Sequence, residues 1–320
     1  MLISRGIAPG FIKKYIQMKL FKLALLTGTL MMIITVCRAQ QATSFTQYSD
    51  NQVPFNSTYS LLDKAGSVNL NSRKQWTGIE GSPYTFQLNG SLPIERINGA
   101  AGLSVTYDKF NIEKLTEVSA FFAKAVQLSE SNFFAASFNA GFRNYKATYS
   151  EVDGNDPSFK DDIRETVGTV GLGLMLYSPE KYYVGASIPR LSIRSLGSAS
   201  EDDKRNYSNT YYFSGAYLFT LNEDVKLKPA TMVSYSRAFD TQADFSVTVY
   251  LQDRFGFGVN YRTTDEIAGI LSVTLNNNIK IGYSYQTGIG NSNIGRISNG
   301  SHEVSIGFRF GKGNIAPKLL

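Results

Sequence analysis

The only histidine of the chain, His302, precedes an acid, Glu303, and this pair has the residue types of a hydrolase base and its orienting group. Such a site also needs a nucleophile within hydrogen-bond reach of the histidine. The preceding Ser301 is poorly placed for that role, because neighbouring residues of a strand point to opposite faces. We therefore predict no enzymatic activity, and we expect His302 and Glu303 to make a rim contact, either within the fold or with a partner.

Six acidic residues in the stretch 146–166 form the second group that could do chemistry. They are Glu151, Asp153, Asp156, Asp161, Asp162 and Glu165. The letters DGND at 153–156 are similar to calcium loops with oxygen ligands, but the ordered ligand spacing and the terminal bidentate glutamate are missing. We predict a solvated loop without a cofactor, in which Asp153 and Asp156 are available to a partner. Weak calcium binding by this loop stays an alternative.

Arg73, Lys74 and Trp76 are expected where the first strand meets the first outside loop. Exposed arginine and tryptophan are favoured at protein interfaces, so Arg73 and Trp76 are candidates for a partner contact. The alternative is an aromatic anchor at the membrane surface with snorkelling basic residues. The sequence leaves both interpretations open.

These residues belong to a chain in which apolar and polar residues alternate along most of its length. In FAASFNAGFRNY, which begins at Phe134, apolar residues alternate with Ser137, Asn139 and Arg143. A period of two is typical of a half-buried strand. The pattern recurs up to the closing EVSIGFRF, and it predicts an all-β fold of about 14 antiparallel strands.

Short turns alternate with longer polar loops between these strands. The short set is 93–99, 129–132, 178–181, 222–224, 253–254 and 276–278, and the longer set is 109–117, 146–166, 194–210, 237–243 and 287–300. Outer-membrane barrels have short periplasmic turns and longer extracellular loops. A soluble sandwich would bury its apolar faces and has no reason to keep all its short turns at one end. The pattern favours a single transmembrane β-barrel.

The polar faces of the strands carry six basic residues, which predicts a wet and partly basic barrel interior. They are Arg143, Lys226, Lys228, Arg262, Lys280 and Arg309. The opposite faces are rich in aromatic and aliphatic residues and are expected to meet outer-membrane lipid. Lys124 is an exception, because the simplest register places it on the lipid side. Either it snorkels to the rim, or the register of that strand differs.

The N-terminal 39 residues have the features of a secretory signal peptide. A basic region precedes an apolar run, 23–36, which is too short to span a bilayer, and Ala39 is a plausible cleavage point. Translation could begin at Met1 or at Met18. These 39 residues hold six of the 32 basic residues and none of the 26 acidic ones, which leaves 26 of each in the remainder. A neutral mature chain removes the basis for nucleic-acid binding.

Residues 40–64 lie between this leader and the first strand and lack the alternation of the strands. Pro54 and Asn56 interrupt both the helical and the strand period. We expect the segment to fold inside the barrel as a plug or to extend into the periplasm as a docking arm, and a disordered tail is the alternative. The expected organisation is a signal peptide at 1–39, an N-terminal segment at 40–64, a barrel at 65–310 and a C-terminal tail at 311–320.

Several specific stretches occur in the order in which a known family has them. They include FTQYSDNQVPFNSTYS at 45–60, RKQWTGIEGSP at 73–83, YYVGASIPRLS at 182–192 and GSHEVSIGFRF at 300–310. On these stretches the chain resembles the PorP/SprF family of type IX secretion system membrane proteins, found in Bacteroidetes. The resemblance extends over nearly the whole chain from Phe45 onward.

The resemblance implies an outer-membrane barrel without enzymatic activity that assists export or surface anchoring of an adhesin-type cargo. Such a cargo would carry a type IX C-terminal domain. The resemblance also implies contact with a periplasmic peptidoglycan-binding protein. Composition and periodicity alone leave a general diffusion porin as the alternative, because basic residues around a wet lumen suit a pore equally well.

Overall fold

Antiparallel strands make up most of the protein. The computed structural model describes residues 45–62, 65–151, 162–179, 181–192, 209–237, 240–276, 278–290 and 298–311. The strands in these ranges are β1 (Gly66–Lys74), β2 (Tyr84–Ile94), β3 (Gly99–Phe110), β4 (Glu113–Gln127), β5 (Phe133–Ala147), β6 (Ile163–Ser178), β7 (Tyr182–Ser192), β8 (Thr210–Tyr217), β9 (Phe219–Thr220), β10 (Val225–Ser236), β11 (Gln242–Leu251), β12 (Phe255–Arg262), β13 (Glu266–Leu275), β14 (Ile279–Gly288) and β15 (Ser301–Phe310). Within the same ranges, no helix is long and apolar enough to cross a membrane.

The sheet closes on itself. The last strand, β15, pairs with β1, from Gly66 opposite Phe310 to Lys74 opposite His302. β8 and β9 both pair with β10 and form one wall strand that is interrupted at Leu218. The described strands therefore build a closed antiparallel barrel of 14 wall strands, which confirms the predicted fold. Closure leaves no unpaired sheet edge in the bilayer.

Wall residues alternate between an apolar outer face and a polar inner face. In β5, Phe138 is 52% exposed and the neighbouring Asn139 is 7% exposed. Outer apolar side chains form the band that meets lipid. Lys124 is exposed on this outer face, opposite Gly99 and close to the end of β4. Its ammonium group can therefore snorkel to the membrane surface, which is the first of the two predicted arrangements.

The connections distinguish the two ends of the barrel. The short connections after β2, β4, β6, β9, β11 and β13 share one end, which is the periplasmic end because outer-membrane barrels have their short turns there. The loop predicted at 109–117 is wrong, because β3 and β4 continue through it and meet at Asn111 and Ile112. Asn111 adopts a left-handed backbone with φ 52°, which asparagine tolerates. Glu117 is a buried residue of β4, so its charge does not indicate a loop.

Residues 45–62, which we call the inner segment, lie inside the barrel. All of them are buried except Asp50 and Leu61, which are partly buried. The regular part of the segment is a 3-10 helix, Ser57–Leu61. The side chain of Asn56 caps this helix by accepting a hydrogen bond from the backbone N–H of Thr58. Residues 1–44 lie outside the described ranges, so the signal peptide stays a prediction.

A hydrophobic core lies inside the barrel toward the periplasmic end. Tyr59 and Leu62 of the inner segment belong to this core, together with wall residues such as Met175 and Tyr183. The rings of Tyr59 and Tyr183 pack edge to face, with centroids 4.4 Å apart. Side chains that bury apolar surface in this way exclude water.

Candidate functional site in the barrel lumen

The start of the inner segment is held by a buried carboxylate. Glu303 accepts hydrogen bonds from the backbone N–H groups of Thr46 and Gln47 at 2.8 and 3.0 Å. The Arg73 guanidinium lies 3.1 Å from the same carboxylate, and both side chains are almost fully buried. Hydrogen bonds to an ionised group are the strong ones in proteins. Glu303 therefore fixes the position of residues 46 and 47 in the lumen.

A second buried ionic network lies beside the first. Arg262 is 2.8 Å from Asp244 and 3.4 Å from Glu266. Gln286 connects the two networks, because its side-chain oxygen accepts hydrogen bonds from both Arg73 and Arg262. Buried charges are tolerated when they are paired and hydrogen-bonded. The wall strands and the inner segment therefore depend on each other at this place.

Asp50 anchors the inner segment nearer the periplasmic end. Its carboxylate is 2.9 Å from Lys280 and 3.7 Å from Lys228, and it accepts a hydrogen bond from the Tyr250 hydroxyl at 3.0 Å. Lys228 also donates to the backbone oxygen of Ser49 at 2.6 Å. Burial alone would raise the pKa of Asp50, but the two lysines outweigh burial and lower that pKa to about 2. Asp50 is therefore charged throughout the physiological pH range.

The middle of the inner segment bonds to walls on opposite sides of the barrel. The Tyr48 hydroxyl donates to the backbone oxygen of Ala230 in β10 at 3.1 Å. Gln52 donates to the hydroxyl of Tyr183 in β7 at 2.9 Å. The segment thus spans the lumen. We call the wall of β10–β15, β1 and β2 the packed side, and the wall of β3–β7 the wet side.

On the wet side one acid is shared by two arginines. Glu117 of β4 forms ion pairs with Arg143 of β5 and with Arg190 of β7. The two arginine side chains keep 11% and 24% of their exposure, whereas Arg73 and Arg262 on the packed side keep at most 1%. Solvent therefore reaches this cluster and does not reach Arg73 or Arg262, whereas the Lys280–Asp50 pair of the packed side keeps 22% and 12% of its exposure.

A β-bulge turns Arg190 toward the lumen. The register between β6 and β7 shifts so that two residues, Pro189 and Arg190, oppose the single residue Gly171. Proline has no N–H to donate to a neighbouring strand, and a bulge changes the direction in which the following side chain points. A Cβ at Gly171 would lie 2.1 Å from the Pro189 carbonyl oxygen, so the bulge requires glycine here.

A small polar cavity lies between the inner segment and the wet side. It has a volume of about 20 Å³, which is room for one water molecule or one small polar group. Its lining includes Ser57 of the inner segment and Glu117, Asn139 and Arg190 of the wall. The side-chain oxygen of Asn139 is buried and has no hydrogen-bond partner among the described residues.

The structure brings Arg73 and Glu303 together inside the barrel and places His302 on its outer face. Arg73 and Glu303 are buried and bind each other and the inner segment, so the prediction that Arg73 contacts an outside partner is wrong, whereas Glu303 makes a contact within the fold, which is one of its two expected alternatives. His302 lies on the outer face, where its Nδ1 is 2.8 Å from the Tyr283 hydroxyl. Adjacent strand residues point to opposite faces, so His302 and Glu303 do not act together.

Trp76 lies two residues after the end of β1 and is half-buried. Its backbone is left-handed with φ 47°, which is strained for a tryptophan, and its ring packs edge-on against Phe110 at 6.4 Å. The Trp76 backbone N–H donates to the Ser301 side chain at 3.2 Å. These contacts fix the ring at the extracellular rim, and a partner contact at Trp76 stays a prediction.

The predicted interior basic residues have several distinct partners. Lys228 and Lys280 bind Asp50, and Lys226 binds Asp253 at 2.6 Å in the turn after β11. Arg143 and Arg262 bind the wall acids described above, and Arg309 occupies an inner position of β15 by register. Asp153 and Asp156 lie outside the described residues. Within the described ranges, no group of three or more acidic, histidine or cysteine side chains could hold a metal ion.

Sequence reasoning missed three residues that organise the lumen. Asp50 belongs to a segment without periodicity, and Glu117 was placed in a loop. Arg190 follows a proline inside a strand pattern, and such a proline indicates a bulge or an edge. That proline is the one available sign that the strand changes face at Arg190.

Comparison with known proteins identifies the family. Residues 37–308 match the family described as type IX secretion system membrane protein PorP/SprF. Among solved structures, the chain is similar to the Acinetobacter baumannii outer membrane protein Omp33, with 10% identity and a TM-score of 0.46 over 78% of this chain and 99% of that chain. It is also similar to the Ralstonia pickettii toluene transporter TbuX, with 10% identity and a TM-score of 0.45 over 83% and 93%. No curated protein matches the chain.

These structural likenesses are too weak to support a functional argument, whereas the family match covers most of the sequence. The closed barrel places the protein in the outer membrane, which it crosses with many strands. The chain therefore belongs to the PorP/SprF family of type IX secretion system membrane proteins.

Proposed function

We propose that the protein is a non-enzymatic accessory of type IX secretion that assists export or surface anchoring of an adhesin-type cargo. Membership of the PorP/SprF family supports a role in this secretion system. The observation that carries the accessory role is the inner segment, which crosses the lumen and is bonded to both sides of it. A barrel filled by its own chain acts on other proteins through its surfaces.

A general diffusion porin is the second candidate function. The solvent-exposed arginines of the wet side favour it, because porins conduct through a polar interior. The hydrophobic core around Tyr59 and Leu62 opposes it, because a solute would have to displace packed apolar side chains. The accessory role fits the filled lumen better.

The position of His302 supports a function without catalysis. It is the only histidine of the chain, and it lies on the outer face against Tyr283. A hydrolytic site that uses histidine as its base would need this residue beside a nucleophile. The polar lumen therefore holds no histidine base, and we propose binding as its purpose.

Three classes of partner follow from this proposal. The outer apolar band meets outer-membrane lipid. Family membership supports a secreted cargo with a type IX C-terminal domain and a periplasmic peptidoglycan-binding protein. The long connections at the extracellular end and the short turns at the periplasmic end offer the barrel one surface for each.

The test is a pull-down of the tagged protein from outer membranes in a mild detergent, followed by mass spectrometry. A tagged outer-membrane barrel of similar size from the same cells serves as the control. We expect one large secreted protein with a type IX C-terminal domain to be enriched over the control. Recovery of the barrel alone, together with salt-dependent conductance in planar bilayers, would replace the accessory role by a pore.

A further inference from the structure

A row of basic side chains crosses the wall near the extracellular end. Lys109 of β3 lies opposite Lys114 of β4, which in turn lies opposite Lys146 of β5. Lys146 lies opposite Arg164 of β6, so four neighbouring strands each contribute one cation at the same level. Lys74 of β1 continues the row, with β2 between it and Lys109. We call these five residues the basic row.

The alternation of the strands puts the basic row on the lipid side of the wall. Lys109 shares a strand face with Leu103, which is 61% exposed. Lys146 shares a face with Phe142, which is 48% exposed. On β5 the row lies about 13 Å along the strand beyond Phe142, and the polar Asn144 lies between the two. The basic row therefore lies just above the apolar band, at the level of the headgroups of the outer leaflet.

The basic row places like charges directly opposite each other. Neighbouring strands of a sheet are about 5 Å apart, and like charges that face each other across this distance destabilise the sheet. From β3 to β6 such pairs follow one another without interruption. Among the described residues, none forms an ion pair or a side-chain hydrogen bond with Lys109, Lys114, Lys146 or Arg164. A bound anion would compensate this repulsion.

The described acids near the basic row are fewer than its cations. Asp162 is exposed and acts on the charges of Lys146 and Arg164, and Glu80 is exposed in the loop between β1 and β2. The other acids of β3–β6 occupy inner positions by register and face away from the row; they are Asp108, Glu113, Glu117 and Glu165. The connection 152–161, with three aspartates and one lysine, lies outside the described residues. The described part of this face is therefore basic.

The opposite part of the extracellular rim has a different composition. Its outer side chains in the described part of β8 and β10–β14 are mostly aromatic or aliphatic: Tyr211, Tyr235, Tyr261, Ile267 and Tyr285. Arg237, just after β10, is a cation on that side. Cations that served only to anchor the barrel at the membrane surface would be spread around the whole rim. A cluster of about four or more cations beside a membrane instead indicates recognition of an anionic lipid.

We propose that the basic row binds the phosphate groups of a phosphorylated glycolipid in the outer leaflet. Lysine and arginine both bind phosphate, and one phosphate can contact two cations that are about 5 Å apart. The acyl chains of the lipid lie against the apolar band that includes Leu103 and Phe142. Its sugars lie beside Asn144 and Thr166, whose side chains hydrogen-bond to each other at 2.8 Å on the same face. A membrane lipid fits better than an acidic protein, because it contacts the apolar band and the row together.

The test is a titration of the full barrel in neutral detergent with diphosphoryl lipid A, measured by native mass spectrometry. Lipid A without its phosphates and phosphatidylglycerol are the comparison lipids. The test variant combines Lys114→Gln with Lys146→Gln. The control variant combines Lys124→Gln with Arg254→Gln, which removes the same charge near the periplasmic end. Mobility of unheated barrel on gels checks that each variant is folded.

We expect diphosphoryl lipid A to bind the wild type and the control variant equally, and to bind the test variant at least tenfold more weakly. Both comparison lipids should bind the wild type at least tenfold more weakly than diphosphoryl lipid A, and an equimolar amount of inorganic phosphate should not displace it. Equal binding of the test variant or of either comparison lipid would overturn the inference, and so would displacement by inorganic phosphate. A wild type that binds no lipid A would also overturn it, because the acids of the chain would then neutralise the basic row.

Discussion

Arginines pair with carboxylates on both sides of the lumen, but Arg73 and Arg262 on the packed side are almost fully buried, whereas Arg143 and Arg190 on the wet side are partly exposed. On the packed side, Arg262 is fully buried between Asp244 and Glu266, and each charge has a partner. On the wet side, Arg143 and Arg190 share Glu117 and keep contact with solvent. The buried pairs of Arg73 and Arg262 hold the inner segment in place, although Arg73 Nε and Arg262 Nη2 have no hydrogen-bond partner among the described residues. The difference between the two arginine networks is therefore one of burial, because solvent reaches Arg143 and Arg190 and does not reach Arg73 and Arg262.

The largest difference is expected between two arginine substitutions. Arg262→Met should lower the free energy of unfolding by about 3–5 kcal/mol, because Asp244 and Glu266 stay buried without their cation. Arg143→Met should lower the free energy of unfolding by about 1–2 kcal/mol, because the mostly buried Glu117 keeps Arg190 as its partner. Urea unfolding in detergent micelles, followed by the fluorescence of Trp76, measures both. Equal losses in the free energy of unfolding for Arg262→Met and Arg143→Met would contradict the difference between the packed side and the wet side.

Removal of the Asp50 charge tests the anchor of the inner segment. Asp50→Asn should lower the free energy of unfolding by about 2–3 kcal/mol, because Lys228 and Lys280 lose the acid between them. The matched control is Asp253→Asn, whose partner Lys226 lies outside this anchor. Amide exchange of residues 45–62 should increase in Asp50→Asn and stay at the wild-type level in the control. An unchanged exchange rate in both variants would contradict the anchor.

The lowered pKa of Asp50 predicts how this anchor responds to acid. A carboxyl whose pKa is lower in the folded protein than its ordinary 3.8 stabilises the folded state above that value. The contribution is then lost as the pH falls toward about 2. Exchange of residues 45–62, corrected for the intrinsic rate, should therefore be constant between pH 7 and about pH 4. Release of the segment near pH 5 would be the opposite result.

Two glycine substitutions probe the bulge on the wet side. Gly171→Ala should lower the free energy of unfolding by about 1–3 kcal/mol, because a Cβ would lie 2.1 Å from the Pro189 oxygen and the strands must shift. Gly269→Ala is the control, since a Cβ there meets nothing within 4 Å, and it should change stability by less than about 0.5 kcal/mol. Urea unfolding of both variants measures these two changes in the free energy of unfolding. Similar values would mean that the bulge is not held rigidly.

The smallest effect is expected on the lipid face. Lys124→Leu should raise stability by at most about 1 kcal/mol, because the lysine lies near the membrane surface where a charge costs little. A gain of about 3 kcal/mol would instead place Lys124 deep in the bilayer. The urea midpoint of the variant decides between these depths.

The sequence predicted the wall of the barrel better than its contents. Alternation is a local property, and it identified the strands, the lipid face and basic residues such as Arg143 and Lys228 before any contact was known. The inner segment has no period, and its position depends on partners such as Glu303, which is 257 residues away from Thr46. Whether residues 40–64 formed a plug, an arm or a tail could not be decided from local pattern for this reason.

The candidate site escaped prediction for two physical reasons. The side-chain direction of Arg190 follows from a one-residue bulge, and a register shift depends on the partner strand as well as on β7. Glu117 looked like a loop residue, because a charged residue in a strand is unexpected until its two arginine partners are known. The proline before Arg190 was visible in the sequence, but it indicates an irregularity without its direction.

Planar-bilayer conductance tests most directly the central claim that the inner segment closes the lumen. The purified wild type is compared with a variant that lacks residues 45–62, each at two salt concentrations. We predict that the wild type shows no stable channel and that the variant conducts in proportion to the salt concentration. A wild type that already forms a stable open channel would contradict the claim and make the barrel a porin.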